Sequence, residues 1–109
     1  MRYVESTDWE RVVLLYEALG RLMPSPVVEL NRAVALSMAR GPAAALPVVD
    51  GLVQTGALAA SHLLPSVRGE LLTRLGRTDE ARLEIATAAE LCSNDRERGV
   101  LHRKLAALA

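Results

Sequence analysis

At 109 residues the chain has the length of one ordinary domain, enough to bury roughly two thirds of the surface its unfolded form exposes. Half of its residues are hydrophobic, yet only 3% are aromatic and none is Phe, so the interior has to be built from Ala, Leu and Val, and of these Ala and Leu strongly favour helix. Thirteen basic residues balance thirteen acidic ones, which excludes the cationic excess that autonomous DNA binding requires. The single cysteine, Cys92, excludes an internal disulfide and cannot by itself form a metal site or a redox pair; a reducing cytoplasm fits. Met1-Arg2-Tyr3-Val4-Glu5 lacks the apolar core of a signal peptide, and Arg, Asp or Glu interrupts every long apolar stretch. Neither secretion nor a membrane span is expected, and the abrupt start reads as that of a piece of a longer chain.

Thr7 followed by Glu10 forms a capping box, and Trp9, Val12, Val13, Tyr16, Leu19 and Leu22 follow at helical spacing, which predicts a first helix over 8–22. Pro24-Ser25-Pro26 ends it and starts the second, because Ser25 caps and Pro26 occupies a first position that needs no amide proton. The second helix covers 26–40 with Leu30, Ala33, Val34 and Met38 on its buried face, and Gly41 supplies a left-handed residue to end it. Pro42 opens a third helix over 42–54, with Leu46, Val49, Leu52 and Val53 available to the core. Pro47 within it removes the bond to the Ala43 carbonyl, a defect of ~3 kcal/mol in a straight helix, so a kink is expected in preference to a late start.

Gln54 to Ala60 contains Gly56 and no periodicity, and is expected to be the longest connection. Ser61 then caps a fourth helix over 61–75, which tolerates Pro65 in its first turn and buries Leu64, Val67, Leu71, Leu72 and Leu75 before Gly76 ends it. Thr78 or Arg77, beside the acidic pair Asp79 and Glu80, starts a fifth helix over 78–92 that buries Ala81, Ile85, Ala88 and Leu91. Asn94 with Glu97 is a second capping box, opening a sixth helix over 95–108 with Val100, Leu101, Leu105 and Leu108 in its stripe. That helix covers the last repeat as a cap, with its basic outer face meeting a partner as the alternative.

Gly41 and Gly76 lie 76 − 41 = 35 residues apart, each closing one apolar-periodic stretch and opening another, which is the spacing of a paired-helix repeat. One pair cannot bury its apolar face alone, so the expected fold is all-α: about six helices in antiparallel hairpins that stack into a superhelix with grooves suited to holding polypeptide. The domain organisation is a hairpin of 8–22 with 26–40, a helix over 42–54 after Gly41, a hairpin of 61–75 with 78–92, and a capping helix over 95–108. No nucleophile, paired carboxylate or metal-ligand spacing is present, so neither enzymatic activity nor a cofactor or metal is expected.

A solitary His62 reads as structural, His102 among Arg98, Arg103 and Lys104 as part of a solvated basic face, and Cys92 as a small core residue. Asn31 and Arg32 in the middle of the second helix either bond across to a neighbouring helix or face water. Trp9 and Tyr16 share one face of the first helix, turned to the core or to an upstream domain.

Gly69, Leu72, Gly76, Ala81, Ala88 and Leu91 fall where a tetratricopeptide repeat places its packing residues, while Pro65 and Arg68 depart from that pattern. The resemblance implies a tetratricopeptide-like right-handed superhelix. It also implies a partner-binding alternative for Asn31, Arg32, His62 and Arg68, since first helices of such pairs line the inner groove. Thr7-Asp8-Trp9, Pro24-Ser25-Pro26-Val27-Val28, Leu30-Asn31-Arg32-Ala33-Val34-Ala35, Arg40-Gly41-Pro42, His62-Leu63-Leu64-Pro65 and Leu71-Leu72 with Arg74-Leu75-Gly76-Arg77 carry a more particular likeness. Together they resemble the C-terminal extension of a bacterial group of extracytoplasmic-function RNA polymerase sigma factors. Ser61, where that family has an aromatic residue, and the uncharged Thr55-Gly56-Ala57-Leu58 depart from its pattern.

The resemblance implies a cytoplasmic, monomeric, protein-binding regulatory domain in transcription initiation, in contact with its own sigma domains, RNA polymerase or a regulator, and without direct DNA binding. The alternative is a stand-alone adaptor for a peptide terminus, which Glu29, Ser66 and Glu70 disfavour by standing where repeated cations would be needed.

Overall fold

The computed structural model describes residues 7–108, so the reading of Met1 to Glu5 lies outside the described residues. Among those described there are six helices and no strand: α1 (Trp9–Leu22), α2 (Pro26–Arg40), α3 (Pro42–Thr55), α4 (Leu63–Arg74), α5 (Thr78–Leu91) and α6 (Asp95–Ala107). The all-α expectation holds, and each boundary falls within two residues of its predicted place.

Side chains at the helix ends show where prediction and structure part. Asp8, not Thr7, caps α1, its Oδ1 accepting from the Arg11 amide at 3.1 Å. Glu10 does not turn back to complete a capping box; it pairs with Arg40 at the far end of α2. Ser25 Oγ accepts from the Val27 amide with Pro26 at the first position, as expected. Gly41 separates α2 from α3 alone, and at φ 94°, ψ 167° it is not in the left-handed helical region. It occupies an extended, positive-φ conformation open essentially to glycine only, which fits the demand of the following Pro42 for a non-helical predecessor.

α3 runs unbroken from Pro42 through Pro47, so it does not start late. Ala43 and Pro47 are both exposed, which leaves the carbonyl that Pro47 cannot reach open to water. The longest connection is 56–62, and α4 begins at Leu63; His62 holds the position before it without a side-chain cap bond, while Ser61, the expected cap, accepts from the Leu63 amide at 3.2 Å, one residue earlier than a helix start at Leu63 requires. α4 closes in a Schellman arrangement, with the Arg77 amide on the Leu72 carbonyl and the Gly76 amide on that of Thr73, Gly76 at φ 77°. Asn94 caps α6 by accepting from the Glu97 amide at 3.0 Å, but the Glu97 carboxylate points elsewhere, to His62.

Consecutive helices pack on one another, so the chain is a run of antiparallel hairpins. Start-to-end contacts show the antiparallel sense where Glu10 meets Arg40 across α1 and α2 and Arg82 reaches the Leu108 carbonyl across α5 and α6, while Asp50 meets Arg68 across α3 and α4 and Arg68 meets Glu84 across α4 and α5 near the helix middles. One core runs through α1 to α4 and onto Ala81, built on Val13, Leu30, Leu36, Leu46, Val49, Leu52, Leu64, Leu71 and Leu72. A smaller one, of Ile85, Ala88, Ala89, Cys92 and Leu101, joins α5 to α6.

The buried sets differ from the single stripes that periodicity suggests. Leu19 and Leu22 of α1, Val34 and Met38 of α2, Val53, Leu91 and Val100 are exposed, whereas Ala35, Leu36 and Ser37 of α2 are buried. α2 has neighbours on more than one side, α1 and α3 along its length and α4 near its end, where Arg74 donates to the Ser37 carbonyl at 3.1 Å. A helix so placed buries two faces and cannot show one stripe.

At Gly69, α4 lies tight against α5. A Cβ there would lie 2.7 Å from Ile85 Cγ1, a buried β-branched side chain with little room to move. Gly69→Ala is therefore expected to destabilise, because overpacking of about 1–3 kcal/mol outweighs the ~1 kcal/mol that alanine gains over glycine in a helix. Gly51→Ala on α3, where nothing lies within 4 Å of an added Cβ, keeps only the gain and should stabilise. Urea melts of the two variants should move in opposite directions; movement in the same direction would contradict the close contact.

Candidate functional site

A wide concavity lies where the end of α1 parts from the start of α2. Gly20 and the turn Pro24-Ser25-Pro26 form its back, Tyr16, Glu17 and Arg21 one wall, Glu29 and Arg32 the other, and the end of α3 its floor, in a cleft of about 630 Å³. The Arg32 guanidinium donates through Nε to Glu29 Oε1 at 2.8 Å, with Nη1 3.7 Å from Glu17 Oε2. Two carboxylates thus neutralise the one half-buried cation, and Arg21 balances the remaining charge. The cleft has no excess positive field to attract phosphate.

Arg68 is held in the same way. Its Nε donates to Asp50 Oδ1 at 2.8 Å and its Nη1 lies 3.5 Å from Glu84 Oε1, so one guanidinium ties α3, α4 and α5 together. Burial pushes the Glu84 carboxyl above its ordinary range, and Arg68 only partly offsets this. The folded state accordingly holds a proton on Glu84 at pH values where the unfolded chain has released it, so stability falls as pH rises from the unfolded value of 4.5 through the raised folded one. Glu84→Gln, which fixes the uncharged form, is expected to match the native protein at low pH and to exceed it above this window. Unfolding measured across pH 3 to 8 checks the sign, with the range set around the carboxylate region.

The candidate partner residues do not share one cleft. Arg32 lines the large one, His62 lines another, Arg68 is bound between helices, and Asn31 is exposed on the outer face of α2 beside Val27, Val34 and Met38. The expectation that His62 stands alone is corrected by the fold. Its Nε2 lies 2.8 Å from Glu97 Oε2, and Cys92 Sγ lies 3.8 Å from the same oxygen. Sequence spacing gave no warning of this group, because His62 reaches the other two only through the stacking of α4 against the α5–α6 turn. His102 is exposed, and of the neighbouring cations Arg98 is paired with Asp95 and Lys104 with Glu70.

The outer face of α1 is apolar. Leu15, Leu19 and Leu22, at i, i+4 and i+7, are 62%, 39% and 80% exposed, and Leu14 and Met23 flank them. Trp9, Val13 and Tyr16 form the face that packs on the core, and Val12, three residues before Leu15, packs at its edge. Nothing in the hydrophobic pattern of α1 distinguishes the two faces, since both carry large apolar residues. Among the described residues no helix is long and apolar enough to cross a membrane.

No family model matches the chain, and no solved structure matches it. It is 47% identical over 105 residues to an uncharacterized protein of Rhizobium meliloti (strain 1021), a match that covers 96% of this chain and 24% of that protein. The chain thus spans about a quarter of the length of this relative.

Proposed function

We propose that the chain is a protein-binding regulatory domain of an extracytoplasmic-function sigma factor, docking on the sigma domains of its own polypeptide through the outer face of α1. The exposed leucine row carries this reading. Three large apolar side chains in register on one helix make a surface that gains free energy when another protein covers it. The cleft between α1 and α2, on another side of α1 from the leucines, is charge-neutral and so offers nucleic acid no cationic surface. The sequence likeness to the sigma-factor extension supplies the identity of the partner, and a cytoplasmic location follows from that role.

The mechanism is a population shift. Docked and released states differ in whether the α1 face is covered, and a ligand favouring one state changes how freely the sigma domains engage polymerase and promoter. The adaptor reading is weaker because the guanidinia of Arg32 and Arg68 are each held by two carboxylates, leaving neither free to grip a peptide carboxylate. Calorimetric titration of this chain with the separately expressed sigma domains tests the proposal: saturable binding, with no retention of promoter DNA by the chain alone, is the expected result. Site-specific DNA binding by the chain, or no interaction with either the sigma domains or RNA polymerase, overturns it.

A further inference from the structure

We propose that His62, Cys92 and Glu97 form a site for a zinc-type divalent cation, with water as the fourth ligand. The donor atoms of the three residues all lie within 4.8 Å of one another. Imidazole nitrogen, thiolate sulfur and carboxylate oxygen are the donor types zinc selects, and three protein ligands with one open position are a recurrent arrangement for it. Bonds of about 2.0–2.3 Å place tetrahedral ligand atoms roughly 3.3–3.8 Å apart. The Cys92–Glu97 separation of 3.8 Å already meets that spacing. The His62–Glu97 separation of 2.8 Å has to open by about half an ångström, which the half-exposed Glu97 side chain allows.

The surrounding structure holds two of the three ligands in place before any metal arrives. Cys92 ends α5 and Asn94 caps α6, so the turn between them is short. Arg98 clamps it by donating to the Cys92 carbonyl at 2.7 Å and to Asp95 at 2.7 Å. Cys92 is buried against Ile85, Ala88 and Leu101, yet its sulfur sits at the polar edge of that cluster, 3.4 Å from the Asn94 carbonyl oxygen. His62, at the start of α4, completes the group from the neighbouring hairpin. A cleft of about 220 Å³ reaches the site from the side of His62 and Glu97, with Cys92 buried behind them, and gives an entry path and room for the water ligand; Lys104, on its wall, is turned to Glu70 at 3.4 Å. Bound metal would pin α6 to α4, two helices otherwise joined by side-chain polar contacts such as His62 with Glu97 and Lys104 with Glu70. The site is independent of the docking role of α1.

Cobalt(II) titration of the metal-free protein tests the site, followed by displacement with zinc. One cobalt per chain is expected, with a thiolate-to-metal charge-transfer band and the visible bands of tetrahedral coordination. Cys92→Ser should abolish the charge-transfer band, His62→Gln and Glu97→Gln should each weaken binding at least ~10-fold, and His102→Gln should change nothing. Zinc should raise the unfolding midpoint of the native protein and not of the three ligand variants. His62 and Glu97 are partly exposed, so their variants remain informative if Cys92→Ser folds poorly; far-ultraviolet circular dichroism checks each. Absence of the charge-transfer band, a band unaltered in both His62→Gln and Glu97→Gln, or one cobalt per two chains bridged by their cysteines would overturn the proposal.

Discussion

Leu72→Ala is expected to lower the free energy of unfolding by about 2–5 kcal/mol, out of the roughly 5–15 kcal/mol typical of a domain. Leu72 is fully buried in the last turn of α4, the helix that α3 and α5 sandwich and that Arg74 fastens to α2. Helices tied at several points cannot close on the space that a lost isobutyl group leaves, so the cavity persists and its cost adds to the lost transfer free energy. At about 4–8 °C per kcal/mol, the midpoint of thermal unfolding should drop by at least ~8 °C. Leu83→Ala on α5 removes the same atoms from a side chain that is 71% exposed and should stay within about 0.5 kcal/mol of the native protein. Equal losses in the two variants would mean that the core does not run through α4.

Helix ends were readable because local chemistry determines them. Ser25 followed by Pro26, Gly41 followed by Pro42, and Asn94 three residues before Glu97 each act within a turn of the chain, and each stands where the sequence placed it. Errors at the ends came from neighbours competing for the same role, as when Asp8 caps α1 in place of Thr7. Burial was less readable, for a physical reason. The outer and inner faces of α1 both present large apolar residues, and only the position of α2 decides that Val13 is covered and Leu22 is not. Packed between α1 and α3, α2 buries Ala35 and Leu36 as well as Leu30 and Ala33, a pattern that a single-stripe reading divides wrongly.

The candidate sites were least readable of all. Arg32 and Arg68 were identifiable as polar residues within helices, but their carboxylate partners Glu17, Asp50 and Glu84 lie on other helices. The grouping of His62 with Cys92 and Glu97 depends on the stacking of α4 beside the α5–α6 turn, and no motif spacing encodes it.

The double change Leu15→Lys with Leu22→Lys separates docking from folding. Both side chains project from the outer face of α1, so the variant is expected to unfold within about 0.5 kcal/mol per site of the native protein. Its binding to the sigma domains should nevertheless weaken at least ~100-fold, because each leucine covered on docking contributes roughly 1.5–3 kcal/mol and ~1.4 kcal/mol is a factor of ten. Lysine adds the cost of desolvating a charge if the partner still closes over it. Leu83→Lys serves as the control, a comparably exposed leucine on α5, away from the row. Calorimetric titration of the three proteins against the sigma domains gives the comparison directly. Weakening confined to the α1 variant places the interface on that helix. Weakening confined to Leu83→Lys would move it to α5 and leave the α1 leucines without a role, and undiminished binding in both would remove the leucine row as the basis of the docking proposal.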